Sequence, residues 1–277
     1  RRSIFLRQLA EQGSRAYPSA VSLTMLFPPT LCRVRASARA QLLAETLGRQ
    51  IERRTIVKLA QTYAELEESV LAWQVDVAWA PPSICARAEQ REQTILKAVR
   101  QNRSMYRSAL ICRQGDQLDV DHLQGKRAAW VDPLSTGGHL LAASLLKQRG
   151  YDPESLFSSQ KYHGSYQGAL LSIIRGQADI SSIYAYGVED VDVRWSLSEH
   201  VGASEVQLQA FAFTDESPSD GLIDTGASEH TKDLFDLLLN NPRNRARTLL
   251  LELIEAENLE RAAENDYWAI RQALVQQ

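Results

Sequence analysis

The chain has 277 residues, enough for two domains of roughly 100–150 residues each. Apolar residues make up 44% and charged residues 23%, an ordinary soluble composition, and the net charge of −3 lacks the basic excess of a nucleic-acid binder. No run approaches the ~20 apolar residues of a membrane span, so no direct membrane insertion is expected.

Residues 1–19 read as a polar extension or linker. The start Arg1-Arg2-Ser3-Ile4 has a twin-arginine look, but Glu11-Gln12-Gly13 follows where a signal peptide needs an apolar stretch. Two locations stay open on these grounds: periplasmic or extracytoplasmic after removal of a signal, and cytoplasmic. Val21–Phe27 is a strand ended by Pro28-Pro29, and 34–50 a helix with Leu42, Leu43 and Leu47 on one face. Ile56–Ala60 is a second strand. Thr62 and Glu65 form a capping box opening a helix through Leu71, and Val75–Trp79 is a third strand, broken by Pro81-Pro82-Ser83. Strands alternating with helices in this way predict parallel βαβ units.

The pattern then restarts. Ala109–Cys112 and Arg127–Val131 read as strands, 136–149 as a helix stopped by Gly150, and Ser165 as the cap of a helix to Arg175. Ala178–Tyr184 and Leu208–Phe213 are further strands. Helices follow over 228–240 and 242–256, and a last one carries Tyr267, Trp268, Ile270 and Leu274. Leu71-Ala72-Trp73-Gln74-Val75-Asp76-Val77 has an echo in Ile174-Arg175-Gly176-Gln177-Ala178-Asp179-Ile180, as two similar lobes would give.

The segment Trp130-Val131-Asp132-Pro133-Leu134-Ser135-Thr136-Gly137-Gly138 carries the most chemical information. It reads as a strand, a tight turn with two hydroxyls and two glycines, then a helix. A helix N-terminus presents free N–H groups and a partial positive charge, hydroxyls there can donate to an oxyanion, and glycines admit a ligand to the backbone. A hydroxyl that simply caps the helix explains the same residues equally well.

The stretch Asp132–Gly138 resembles the D-P-x-S-T-S-G turn of the phosphate/phosphite/phosphonate-binding proteins of ABC transporters. Val75–Ser83, Met105–Ile111, Leu123–Ala129, Gly164-Ser165-Tyr166, Gly176–Asp179 and Pro218-Ser219-Asp220 resemble further landmarks of that family, in order, over roughly residues 20–260. The resemblance implies an α/β, two-lobed type 2 periplasmic-binding-protein fold, with mixed sheets flanked by helices and a ligand cleft between the lobes. The expected organisation is lobe 1 from 20–107 and 210–277, and lobe 2 from 108–209. The ligand-binding residues it implies are Ser135, Thr136, Gly137, Tyr106 and Ser83, with Tyr166, Tyr184 and Tyr186 adding an aromatic character. Gly137 departs from the family in lacking the turn's third hydroxyl. Tyr166 stands where relatives that take aminophosphonates carry a histidine, and the acidic residue those relatives carry at the Tyr186 landmark is absent, so an ammonium-bearing ligand is not expected.

The implied function is capture of a small anionic ligand for ABC-type uptake, with a transporter permease as partner. The alternative is a ligand-sensing or interaction module on the same fold, with a fused or partner signalling domain. No enzyme activity, cofactor or metal is expected: no G-x-S-x-G elbow surrounds Ser135, and the five histidines show no metal spacing. His139 reads as a solvated or capping residue. Cys32, Cys85 and Cys112 read as small core residues, with no disulfide framework.

Overall fold

The computed structural model describes residues 22–29 and 33–275; the expected extension over 1–19 and Cys32 lie outside the described residues. The strands β1 (Leu23–Phe27), β2 (Thr55–Leu59) and β3 (Val77–Ala80) alternate with helices α1 (Arg33–Gln50) and α2 (Tyr63–Leu71). β1 pairs in parallel with both β2 and β3, as the βαβ reading requires. α3 (Pro82–Glu89) and β4 (Thr94–Val99) follow. Two strands from the far end of the chain complete this sheet. β11 (Gly221–Asp224) runs antiparallel between β3 and β4, and β12 (Asn258–Arg261) runs antiparallel along β4. Met25 and Phe27 pack on one face of the sheet with Leu43, Leu47 and Leu250, while Leu26 packs on the other with Leu66, Ala78 and Ile84. Both faces are covered, which explains why these strands read as continuous apolar runs.

A second group of strands is built around β5 (Met105–Arg113), antiparallel to β8 (Ser181–Ala185) on one side and to β9 (Leu208–Phe213) on the other. β6 (Arg127–Trp130) and β7 (Ser159–Tyr162) form a parallel pair, joined to the start of β8 through a bridge between Ala128 and Ile180. Around them pack α4 (Leu141–Gln148), α5 (Pro153–Leu156), α6 (Tyr166–Ile174) and α7 (Asp190–Val201). α8 (Thr231–Asn240), α9 (Arg245–Leu253) and α10 (Trp268–Val275) come from the end of the chain. The chain crosses between the two lobes side by side, where the short strand β10 (Ser217–Pro218) pairs with the first residues of β5. There the Ala98 N–H donates to the Asp220 carbonyl at 3.0 Å and the Ser219 N–H to the Ser104 carbonyl at 2.8 Å.

The sequence echo is a structural repeat. The Gln74 N–H donates to the Ser69 carbonyl at 2.9 Å and the Gln177 N–H to the Ser172 carbonyl at 2.8 Å, closing α2 and α6 alike. The Asp76 carboxylate then accepts the Thr24 N–H at 2.7 Å, as the Asp179 carboxylate accepts that of Arg127 at 2.8 Å. In each copy the aspartate ties the incoming strand to its parallel neighbour. Both helices end on a left-handed residue, Gly176 (φ 70°) in one copy and Trp73 (φ 54°) in the other. A side chain costs roughly 1–2 kcal/mol in that region, against about 0.5–1 kcal/mol for the exposed stacking of Arg91 on the Trp73 ring. Trp73→Gly is therefore expected to stabilise the protein by about 0.5 kcal/mol, seen as a raised urea midpoint with an unchanged slope.

Several elements escape the sequence reading. Pro82 opens α3 instead of only breaking β3: it sits in the first turn, where its missing N–H has no helical partner to lose. β4 hides behind Lys97, buried in mid-strand because Glu260 (3.3 Å) and Asp266 (2.7 Å) receive its ammonium. The alternating Val188, Val191 and Val193 do not suggest a helix, yet α7 forms there, with the Asp192 carboxylate accepting the Glu189 N–H at 3.1 Å. At α2, Thr62 caps Glu65 as expected, but the Glu65 carboxylate reaches the N–H of Gln61 and not that of Thr62.

Candidate ligand-binding site

The turn 132–138 owes its shape to a dense set of local bonds. The Asp132 carboxylate accepts the Leu134 N–H at 2.8 Å, and the Ser135 hydroxyl accepts the Gly138 N–H at 3.2 Å. The Leu140 N–H reaches back five residues to the Ser135 carbonyl at 3.0 Å. This wide π-type opening turn, Thr136–Leu140, leads into α4, and such turns recur at functional sites. Gly138 is obligatory for space: a Cβ there would lie 2.4 Å from Val131 Cγ2. From the second sheet the Ser108 hydroxyl donates to the Gly137 carbonyl at 2.8 Å. His139 is buried, unlike the solvated or capping residue expected. Its Nδ1 meets the Pro133 carbonyl at 3.0 Å and its Nε2 the Tyr162 hydroxyl at 3.3 Å, bracing the turn from behind.

In front of the turn lies a cavity of about 180 Å3. Ser135, Thr136 and Gly137 form one end of it, and Tyr106, Tyr166, Tyr184 and Tyr186 line it as well. Seven of the eight expected site residues thus share one wall. The eighth, Ser83, reaches the same turn but engages the turn itself. Its N–H donates to Thr136 Oγ1 at 3.0 Å and its hydroxyl to the Leu134 carbonyl at 2.8 Å. Because Ser83 opens α3 beside the first sheet, these bonds fasten one lobe to the other across the cleft.

The rest of the wall was not foreseen. Arg100, from the end of β4, lies over the Trp79 ring at 5.8 Å and donates to the carbonyls of Ile254 (2.7 Å) and Glu255 (2.8 Å). Its guanidinium is 3.7 Å from the Asp220 carboxylate. Burial opposes its charge, but Tyr186 and Asp220 outweigh that and hold its pKa above the ordinary arginine value. Asp220 is pushed the other way from a usual carboxylate: burial raises it and Arg100 only partly offsets the rise. Its side chain keeps 34% exposure and lines the cavity. An acidic group therefore lines the site, contributed from outside the segment around Tyr186. Arg100 and Asp220 lie more than a hundred residues apart, and no local pattern joins them.

The remaining wall is aromatic. Tyr166 stacks on His200 (5.0 Å between ring centres, 25°), and Tyr184 meets Tyr166, Tyr186, Trp195 and His200 edge-on. The Tyr184 hydroxyl donates to Glu199 at 2.6 Å. Burial raises the phenols of Tyr106, Tyr166 and Tyr184 well above their usual value and that of Tyr186 to about 12, so all four remain protonated donors at neutral pH. Burial pushes His200 down to about 4, and its Nε2 has no hydrogen-bond partner among the described residues. The unfolded chain binds more protons at that histidine between pH 6.5 and 4, so its contribution is lost as pH falls through this range. Acidification from pH 7 to 5 should cost the parent about 1–2 kcal/mol more than His200→Phe, which keeps the stacking ring; parallel urea titrations at the two pH values measure the difference.

Cys85 and Cys112 are buried, as expected for core thiols, and form no disulfide among the described residues. Among the described residues no group of three or more His, Cys, Asp or Glu is placed to hold a metal ion, and no helix is long and apolar enough to cross a membrane.

Two α/β lobes meet on paired crossing strands, with a cleft at a helix-opening turn. The family model of ABC-transporter phosphonate periplasmic substrate-binding proteins matches residues 25–267, and the chain belongs to that family. Its members are substrate-binding proteins and not enzymes, and the family implies an extracytoplasmic setting, a small ligand and a transporter permease as partner. Solved structures agree on the fold. A binding-protein component of an ABC phosphonate transporter from Pseudomonas aeruginosa matches with a TM-score of 0.76 at 17% identity, over 92% of this chain and 86% of that one. PhnD1 from Prochlorococcus marinus, in complex with methylphosphonate, matches at 0.75 and 16% identity, over 92% and 97% of the two chains. A Xanthomonas citri protein bound to ATP matches at 0.74 and 14% identity, over 92% and 96%. No curated protein matches the chain by sequence.

Proposed function

We propose that this protein captures a compact oxyanion of the phosphate or phosphonate type in the cleft and delivers it to an ABC permease. The observation that carries the reading is the meeting of the Ser135–Thr136–Gly137 turn, four protonated tyrosines and Arg100 around one cavity. Free N–H groups at a helix start, hydroxyl donors and a guanidinium all favour negative charge, and exclusion of water strengthens each bond. The cavity volume of about 180 Å3 is below the 300–1,000 Å3 of pockets for drug-sized ligands, which favours a small anion over a nucleotide. The uncharged aromatic wall suits a short apolar substituent on the anion.

The test is calorimetric titration of phosphate, phosphite, methylphosphonate, aminoethylphosphonate and sulfate into the ligand-freed protein and into Ser135→Ala/Thr136→Ala. Binding of at least one phosphorus oxyanion by the parent, weakened more than a hundredfold in the double variant, is expected from two charge-assisted hydrogen bonds of roughly 1.5–3 kcal/mol each. Failure of a folded parent to bind any of them removes the reading.

A further inference from the structure

Gly137 occupies the most crowded point of the cavity wall. Its φ lies outside the left-handed region, so backbone conformation does not demand glycine. Space does: a Cβ at 137 would stand 2.8 Å from the Tyr166 hydroxyl and 3.2 Å from Tyr106 Cε2. The phenol of Tyr166 therefore fills the volume that a side chain at 137 would take. It has little freedom to leave. Tyr166 is the first residue of α6, directly after the capping Ser165, and its ring is held between His200 and Tyr184.

The hydroxyls of Ser135 and Tyr166 sit together at this point. The Gly138 N–H donates to Ser135 Oγ at 3.2 Å. Burial keeps the neighbouring Tyr166 phenol protonated, with its pKa well above the usual value, and Ser135 offsets only part of that rise. The phenol therefore has a proton to offer to the cavity it lines.

We infer that Tyr166 is a specificity-determining residue of the cleft: seated over Gly137 and held by its ring contacts with His200 and Tyr184, its hydroxyl supplies the oxyanion with the donor that a side-chain hydroxyl at 137 would otherwise give. The inference rests on the oxyanion reading above. It makes positions 137 and 166 interdependent, since one hydroxyl fits between them and two do not.

The experiment is a double-mutant cycle on the full chain, with methylphosphonate and phosphite as calorimetric probes and thermal unfolding in parallel. Tyr166→Phe keeps the stacked ring and loses the donor; affinity for the better probe should fall about tenfold or more. Gly137→Ser should fall at least as far, with a lowered Tm, because its side chain meets the phenol. The double variant has room for the new serine hydroxyl and should bind at least tenfold more tightly than Gly137→Ser alone, with Tm recovered. An unchanged Kd in Tyr166→Phe, or a double variant no tighter than Gly137→Ser, overturns the inference. Should Gly137→Ser not fold, Tyr166→Phe decides: a loss of about tenfold with unchanged Tm upholds the inference, and an unchanged Kd overturns it. A parent that binds neither probe brings down the oxyanion reading and this inference with it, whereas a binding parent with independent effects overturns the inference alone.

Discussion

Arg100→Leu is expected to lose anion binding and about 3 kcal/mol of stability together. The guanidinium satisfies the carbonyls of Ile254 and Glu255, packs on Trp79 and faces Asp220. Its removal leaves two inward carbonyls without their donor and an enclosed carboxylate without its cation. Breaking a buried pair on one side typically costs 3–5 kcal/mol. For a chain of this size the loss corresponds to a fall in Tm of roughly 6–12 °C. Arg100→Leu/Asp220→Leu separates the two roles. Removing both charges should return part of the stability, because no unpaired carboxylate remains, yet oxyanion affinity should stay at least tenfold below the parent. Unchanged affinity in either variant would show that the cleft holds its ligand without the guanidinium, and the electrostatic part of the reading would be lost.

How much of this was legible in the sequence follows from how local each signal is. The turn 132–138 could be read because all its parts lie within one short stretch: the aspartate, the two hydroxyls, the glycines and the following helix. The tyrosines came from the resemblance, and the cavity gathers all four. Arg100, Asp220, Trp195 and His200 could not be found in the same way. They reach the cleft from the end of β4, the return crossing and α7, and nothing near Arg100 distinguishes it from the other basic side chains. Asp220 was noted only as part of a return segment, since its role depends on the crossing strands lying side by side. α7 was lost for a different reason. Val191 is 70% exposed and Trp195 faces the cleft, so the helix offers no clean apolar stripe to read. The echo between 71–77 and 174–180 was the reverse case. It was short enough to arise by chance, and the structure gives it the same helix ending and the same aspartate bond in both copies.

Asp220 is expected to decide which anions the cleft admits. A desolvated carboxylate beside a bound oxyanion would place two negative charges in one enclosed volume, and such pairs resolve by sharing a proton. The phosphorus oxyanions can bring that proton, because near neutrality a substantial fraction carries one P–OH group, which can donate to Asp220. Sulfate brings none, so its binding needs Asp220 itself to be protonated. The parent is therefore expected to prefer methylphosphonate or phosphite over sulfate by more than a hundredfold at pH 7. Its sulfate affinity should rise as pH falls, because binding takes up a proton and the Asp220 pKa is already raised by burial. Asp220→Asn removes the charge while keeping the shape: sulfate should gain at least tenfold, and the phosphorus oxyanions should lose about tenfold with their acceptor changed. Titrations in two buffers of different ionisation enthalpy read the proton count directly, with close to one proton taken up per sulfate in the parent and none in Asp220→Asn. Equal preference for the two anion classes in parent and variant would mean that the carboxylate does not select, and that discrimination rests on the shape of the aromatic wall alone.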